Sequence, residues 1–107
     1  MYYCDKIEKL DYHKYAKCGY EIYGPENENV LFYSYDTIVL DCCYEYLMCT
    51  GLYSATTRKH ISWILREFFP NISYQRIKKI AGKFPLVIDV YSGDIINYET
   101  GEVIECG

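Results

Sequence analysis

Residues 54–70, with the sequence SATTRKHISWILREFFP, decide how the rest of this chain is interpreted. Four apolar residues stand at positions i, i+3, i+4 and i+7, which is the spacing of one face of an α-helix. They are Ile61, Ile64, Leu65 and Phe68. Ser54, Thr56 and Thr57 precede this stripe, and each has the side-chain oxygen of a helix N-cap. Pro70 ends the helix, because the residue before a proline avoids the helical conformation.

A second, shorter helix follows the first and is predicted to run through Ala81. Asn71 or Ser73 caps its start, and Gly82 takes the C′ position, where left-handed backbone ends many helices. Its apolar face consists of Ile77, Ile80 and Ala81. The two helices therefore form one unit in the middle of the chain.

The sequence on both sides of the helices is rich in Val, Ile, Leu, Phe and Tyr, which favours β-strands. The predicted strands are residues 20–23, two or three antiparallel strands within 30–40 and 44–49, residues 86–91, and a hairpin of 95–98 with 102–105. Breaks are expected near Ser34 and around Asp41. Residues 5–18 are highly charged and predict either a short helix or an irregular arm.

These elements predict an α+β fold, an antiparallel sheet with a two-helix unit packed on one face. The length of 107 residues indicates a single domain over residues 1–107, and 50% hydrophobic residues suffice for a packed core. No apolar run approaches the roughly 20 residues of a membrane span, and the first residues lack the pattern of a secretory signal. We therefore expect a cytoplasmic protein with no membrane partner.

Six cysteines and two histidines are the candidates for metal or nucleophile chemistry. Zinc sites usually show paired ligands two to four residues apart, whereas Cys42 and Cys43 are adjacent and point to opposite faces of a strand. Neither histidine is placed beside a particular cysteine by its position in the sequence. The sequence predicts reduced thiols, no metal, no cofactor, no catalytic residue and no enzyme activity.

The charge is divided unevenly along the chain, although the net charge is only −4. Residues 54–84 hold seven basic residues and one acidic residue, a net charge of +6, and the remainder carries −10. Arg76, Lys79 and Lys83 stand at i, i+3 and i+7, so they are expected to share a helix face that meets phosphates or an acidic protein surface. An ordinary solvated helix face is the other interpretation.

Tyrosine occurs 14 times and supplies both an apolar ring and a polar tip. These side chains either fill the sheet or form an interface. In the acidic, tyrosine-rich part of the chain we select Tyr44, Glu45 and Tyr46 as candidate partner-binding residues, beside the basic set Arg76, Lys79 and Lys83.

Residues 33–68 resemble a family of small proteins from phages and conjugative elements. The shared pattern is a Ser-Tyr-x-Thr strand, here residues 34–37, followed by Tyr-Ser-x-Thr-Thr-x-x-His opening a helix, here residues 53–60. The family has no established biochemical activity. The resemblance implies an origin on a mobile genetic element and a role against host defence inside a bacterial cell, and the chain is similar in character to anti-CRISPR inhibitors.

Two hypotheses about function follow. The first is a non-enzymatic protein that binds and inhibits a host defence protein such as a Cas effector nuclease. The alternative is a nucleic-acid-binding regulator that uses the basic segment 54–84, because two basic helices joined by a short turn resemble a helix-turn-helix in outline.

Overall fold

The computed structural model describes residues 4–9, 18–23, 26 and 28–107. The strands within them are β1 (Cys4–Lys9), β2 (Cys18–Tyr23), β3 (Asn29–Ser34), β4 (Thr37–Cys43), β5 (Tyr46–Cys49), β6 (Leu86–Asp89), β7 (Ile95–Asn97) and β8 (Val103–Glu105). The helices are α1 (Ala55–Phe68) and α2 (Tyr74–Ile80).

The described strands form one antiparallel sheet, and their order in space is their order along the chain, from β1 to β8. Both helices lie in the connection between β5 and β6. α1 packs against β3 and β4, and α2 packs against β5 and β6. The predicted α+β fold, with a helix pair on one face of an antiparallel sheet, is confirmed. We call the face that carries the helices the inner face and the opposite face the outer face.

The core lies between the inner face and the two helices. Strand side chains alternate between the two faces, so every second residue of the central strands enters the core. The buried inner-face residues are Phe32, Leu40, Cys42, Leu47, Cys49 and Ile88. They meet Ile61, Ile64 and Leu65 of α1 and Ile77 and Ile80 of α2, which are the apolar stripes predicted from the sequence. Phe68 of the predicted stripe is partly exposed, and its ring contacts Phe32 at 5.1 Å between centroids.

Each helix begins at a hydroxyl cap. Ser54 has extended backbone and its Oγ accepts a hydrogen bond of 3.2 Å from the backbone N–H of Thr57. Ser73 does the same for Arg76 at 3.3 Å, which decides between the two candidate caps of α2. Such a bond satisfies one of the N–H groups that the first turn leaves without a helical partner. After α2, Gly82 adopts a φ of 69°, as predicted for the C′ position.

Two details of the strand prediction are wrong. Within residues 5–18, the part that overlaps β1 is a strand rather than a helix or arm, while residues 10–17 lie outside the described residues. Asp41 does not break a strand, because it pairs with Met48 in the middle of β4. The chain turns instead after Cys43, where Tyr44 adopts a φ of 55°. A positive φ is unusual for tyrosine, so residue preference gave no sign of this turn.

A buried hydrogen bond joins α1 to the sheet. His60 is fully buried, and its Nδ1 lies 2.6 Å from the Oγ of Ser34, at the end of β3. The rings of Tyr35 and Trp63 flank the imidazole at 5.7 Å and 5.6 Å between centroids. Trp63 is only partly buried. Burial lowers the pKa of His60 below its ordinary value of 6.5, so the imidazole is neutral at neutral pH.

We expect the protein to lose stability as the pH falls through 6.5, because unfolded His60 takes up a proton that the buried imidazole resists. The contribution of His60 is complete above 6.5 and decreases toward the lower pKa of the folded state. Urea unfolding at a series of pH values measures it. His60→Gln should remove this part of the pH dependence. Both proteins retain His13, so its contribution does not differ between them. Parallel pH profiles for the two proteins would contradict the prediction.

Candidate functional site

The outer face of the sheet carries a pocket where four residues of β4 and β5 meet. Leu40 and Cys42 enter the core, so alternation turns Asp41 and Cys43 to the outer face. The strand register places Asp41 opposite Met48 and Cys43 opposite Tyr46. Directly paired residues of an antiparallel sheet share a face. These four side chains therefore form one contiguous surface.

Two aromatic residues from the C-terminal part of the chain complete this surface. Phe84 precedes β6 and Tyr98 follows β7, and the backbone N–H of Tyr98 donates to the Pro85 carbonyl at 2.8 Å. The ring of Tyr98 stands at 79° to that of Tyr46, with 5.6 Å between centroids, and lies 6.1 Å from the ring of Phe84. We call this site the aromatic pocket. It is lined by Asp41, Cys43, Tyr46, Met48, Phe84, Val87 and Tyr98.

The aromatic pocket has a volume of about 180 Å³. For comparison, an engineered protein cavity of about 150 Å³ holds a benzene molecule. Phe84 and Tyr98 are exposed by 56% and 48%, whereas Val87 in the same lining is buried. The pocket is thus open to solvent at its aromatic rim and large enough for one side chain of another molecule.

Asp41 is the charged residue among those that line the aromatic pocket. Its Oδ1 atom is buried and accepts no hydrogen bond from the described residues. Burial raises the pKa of the Asp41 carboxyl above its ordinary value of 3.8. Burial of a carboxylate oxygen without a partner is unfavourable, because desolvation is not offset by a new interaction. Asp41 as a residue is half-buried, so the part of the carboxylate that remains accessible can meet a donor that enters the pocket.

The thiols near the sheet are protonated at neutral pH. Burial raises the pKa of Cys18, Cys42 and Cys49 each to about 11. Cys43 lines the aromatic pocket, and its pKa is raised by burial and then by the charge of Asp41. All five cysteines whose side chains are described are free thiols, namely Cys18, Cys42, Cys43, Cys49 and Cys106. In the described residues no three His, Cys, Asp or Glu side chains are grouped as they are around a metal ion.

The three candidate residues selected from the acidic, tyrosine-rich part of the sequence lie at or beside the aromatic pocket. Tyr46 lines it, and Tyr44 and Glu45 form the turn before β5. The charge of Glu45, followed by burial and the charge of Asp89, raises the pKa of Tyr46 above its ordinary value of 10.0. Tyr44 is exposed by 64%. This end of the β4–β5 hairpin is therefore acidic and aromatic.

The three basic candidates lie elsewhere and are not a single helix face. α2 ends at Ile80, and the left-handed backbone of Gly82 separates Lys83 from it, so Lys83 does not continue the face of Arg76 and Lys79. Lys79 Nζ donates to Glu105 Oε1 at 2.6 Å, and Arg76 donates to the Cys106 carbonyl at 2.6 Å. Arg76 also lies 3.8 Å from Glu105. The C-terminal strand thus supplies a counter-charge to this part of α2.

Sequence reasoning missed most of the aromatic pocket. Asp41 was interpreted as a strand break, and Phe84 and Tyr98 are about forty or more positions away from it in the sequence. The signal that was available is the alternation of Asp41 and Cys43 with core residues in a hydrophobic run, which places both on the face away from the helices. No sequence signal brings Phe84 and Tyr98 to that surface.

The fold and pocket define a small α+β protein with an aromatic, acidic pocket on the outer face of an antiparallel sheet. Residues 6–80 match DUF8033, a family of unknown function, and the chain belongs to this family. No curated protein and no solved structure matches it. Among the described residues, neither helix has the length and apolar character needed to span a membrane.

Asp41→Asn is expected to stabilise the protein at neutral pH, because a neutral amide is less costly to bury than a carboxylate. The raised pKa makes folded Asp41 bind its proton more tightly than unfolded Asp41, so its destabilising effect is absent below 3.8 and grows as the pH rises through the folded pKa. The advantage of the variant should therefore be larger at neutral than at acidic pH in urea unfolding.

Asp36→Asn is the matched control, because Asp36 is exposed in the turn between β3 and β4. It should leave the unfolding free energy within about 0.5 kcal/mol of the parent protein. An Asp41→Asn protein that is less stable than the parent at neutral pH would show that the carboxylate has a stabilising partner.

Proposed function

We propose that this chain is a protein-binding protein whose contact surface is the aromatic pocket and the adjoining Tyr44–Glu45 turn, and that it inhibits a defence protein of a bacterial host. The observation that carries the proposal is the meeting of Phe84 and Tyr98, exposed by 56% and 48%, with Tyr46 in one pocket of the outer face. Contiguous exposed apolar surface marks sites of interaction.

Aromatic side chains suit such a surface for a physical reason. They bury a large area with few rotatable bonds, so little conformational entropy is lost when a partner immobilises them. Tyrosine and tryptophan are also the residues that dominate binding energy in interfaces. The packing of Tyr46 against Tyr98 holds two of these rings in place before a partner arrives. A preorganised surface loses less free energy on association.

The charge of the surface supports a basic partner. Asp41 lies in the pocket, and Glu45 and Asp89 lie close enough to Tyr46 to raise its pKa. Acidic surfaces attract basic grooves and raise the rate of association. Nucleases of defence systems bind nucleic acid through basic surfaces. Together with the resemblance to proteins of phages and conjugative elements, this supports a Cas effector nuclease as the target.

The proposal is tested by mixing the purified chain with candidate Cas effectors at equimolar ratio and measuring complex formation and cleavage. Tyr98→Ala or Phe84→Ala should weaken the complex by about 2 kcal/mol or more, as expected for an interface anchor. Tyr91→Ala is the control, because Tyr91 is 83% exposed in the turn between β6 and β7 and does not line the pocket. Binding that tolerates Tyr98→Ala and Phe84→Ala would refute the proposed surface.

The nucleic-acid hypothesis has less support, because Glu105 pairs with Lys79 and lies near Arg76. We expect no shift of DNA or RNA in a gel at low salt, where phosphate contacts are strongest. Lys78→Glu with Lys83→Glu is the control pair, since both lysines are exposed and neither has an ion pair among the described residues. A shift that disappears in this double variant would overturn the choice of function.

A further inference from the structure

We propose that the aromatic pocket binds one arginine side chain of the partner protein, with its guanidinium group at Asp41. This inference rests on the proposed function and names the chemistry that the partner must present. Three features of the described residues carry it: a half-buried carboxylate whose Oδ1 atom has no hydrogen-bond partner, a set of aromatic walls, and a lining without positive charge.

The carboxylate of Asp41 lacks a hydrogen-bond donor, which a guanidinium supplies. Its buried Oδ1 atom accepts no hydrogen bond from the described residues. Arginine presents five N–H donors in a planar group and remains charged at every relevant pH, so it forms strong, charge-assisted hydrogen bonds with carboxylates. Asp41 is only half-buried, so an entering guanidinium would reach the accessible part of the carboxylate, and its charge would offset the desolvation of the buried Oδ1 atom.

The aromatic walls favour the same occupant. Tyr46, Tyr98 and Phe84 line the pocket as a connected series of rings, with centroid distances of 5.6 Å and 6.1 Å between neighbours. The faces of aromatic rings attract cations, and this attraction is stronger where water is excluded. Guanidinium is more weakly hydrated than ammonium and stacks on rings, so it loses less hydration free energy on entering the pocket. The methylene groups of arginine then contact Met48 and Val87.

The charge and volume of the pocket agree with this occupant. Among the described residues that line the pocket there is no lysine or arginine, while Glu45 and Asp89 add negative charge beside Tyr46. The volume of about 180 Å³ exceeds that of the cavity of about 150 Å³ that holds benzene, so a guanidinium with part of its stem is accommodated. An anion would meet only repulsion at Asp41.

The experiment uses N-acetyl-arginine methylamide as the probe and N-acetyl-citrulline methylamide as its neutral isostere. The protein carries ¹³C-labelled methionine methyl groups, of which Met48 lies in the pocket and is assigned with Met48→Leu. The arginine probe should shift the Met48 signal in a saturable way, with an affinity in the millimolar range. The citrulline probe should bind about tenfold more weakly or worse, a difference of about 1.4 kcal/mol.

Asp41→Asn should abolish the preference for arginine over citrulline, whereas Asp36→Asn should leave it unchanged. Since Asp41→Asn is expected to be at least as stable as the parent protein, a loss of binding will not reflect unfolding, and the urea measurement above verifies this. Tyr98→Leu retains an apolar wall without the ring and should weaken binding of the arginine probe more than binding of the citrulline probe.

The two proposals fail in different ways. Equal binding of the two probes, no saturable shift of Met48, or unchanged arginine binding by Asp41→Asn would overturn the arginine inference. A partner that still binds through Tyr98 and Phe84 would leave the proposed function intact in that case. Arginine binding with the expected variant pattern, but no complex with any defence effector, would leave the pocket's chemistry in place and refute the proposed function.

Discussion

The pairing of β5 with β6 is the contact on which the rest of the structure depends. It joins Leu47 to Ile88 across the whole helical segment, and it is reinforced by the bond from Val90 N–H to the Glu45 carbonyl at 2.8 Å and from Gly82 N–H to the Cys49 carbonyl at 3.0 Å. Because the chain must leave β5 and return beside it, both helices are confined to one face of the sheet. The opposite face stays open around the seam between the two strands, and the aromatic pocket lies there.

The structural features that the sequence predicts correctly are those that depend on residues close together in the chain. The start of α1 at Ser54 and the end of α2 before Gly82 follow from cap hydroxyls and from glycine, and the apolar stripes follow from helical spacing. The turn at Tyr44 was missed because tyrosine rarely adopts a positive φ, and Asp41 was misread because an acidic residue in a hydrophobic run is typical of a turn. Of the site, only Tyr46 was selected in advance. Phe84 and Tyr98 reach it through strand pairing, which no local pattern encodes.

The uneven charge of the sequence is partly balanced in the fold. The basic segment 54–84 includes α2, and the C-terminal strand β8 returns to it with Glu105. The part of the chain that matches DUF8033 ends at residue 80, so this counter-charge lies beyond it. The end of the family match at residue 80 also divides the lining of the aromatic pocket. Asp41, Cys43, Tyr46 and Met48 lie within the matched residues, and Phe84, Val87 and Tyr98 lie after them.

The sequential order of the strands has a consequence for the way the chain folds as it leaves the ribosome. The β3–β4 and β4–β5 hairpins close through two-residue turns, so their contacts form between segments that are synthesised together. The pairing of β5 with β6 forms only after more than thirty further residues, which include both helices, have been synthesised. Until β6 emerges, β5 is an open edge strand whose backbone groups are able to pair with another nascent chain. Emergence of β6 (Leu86–Asp89) from the ribosome therefore marks the stage at which this chain ceases to be prone to intermolecular strand pairing at that edge.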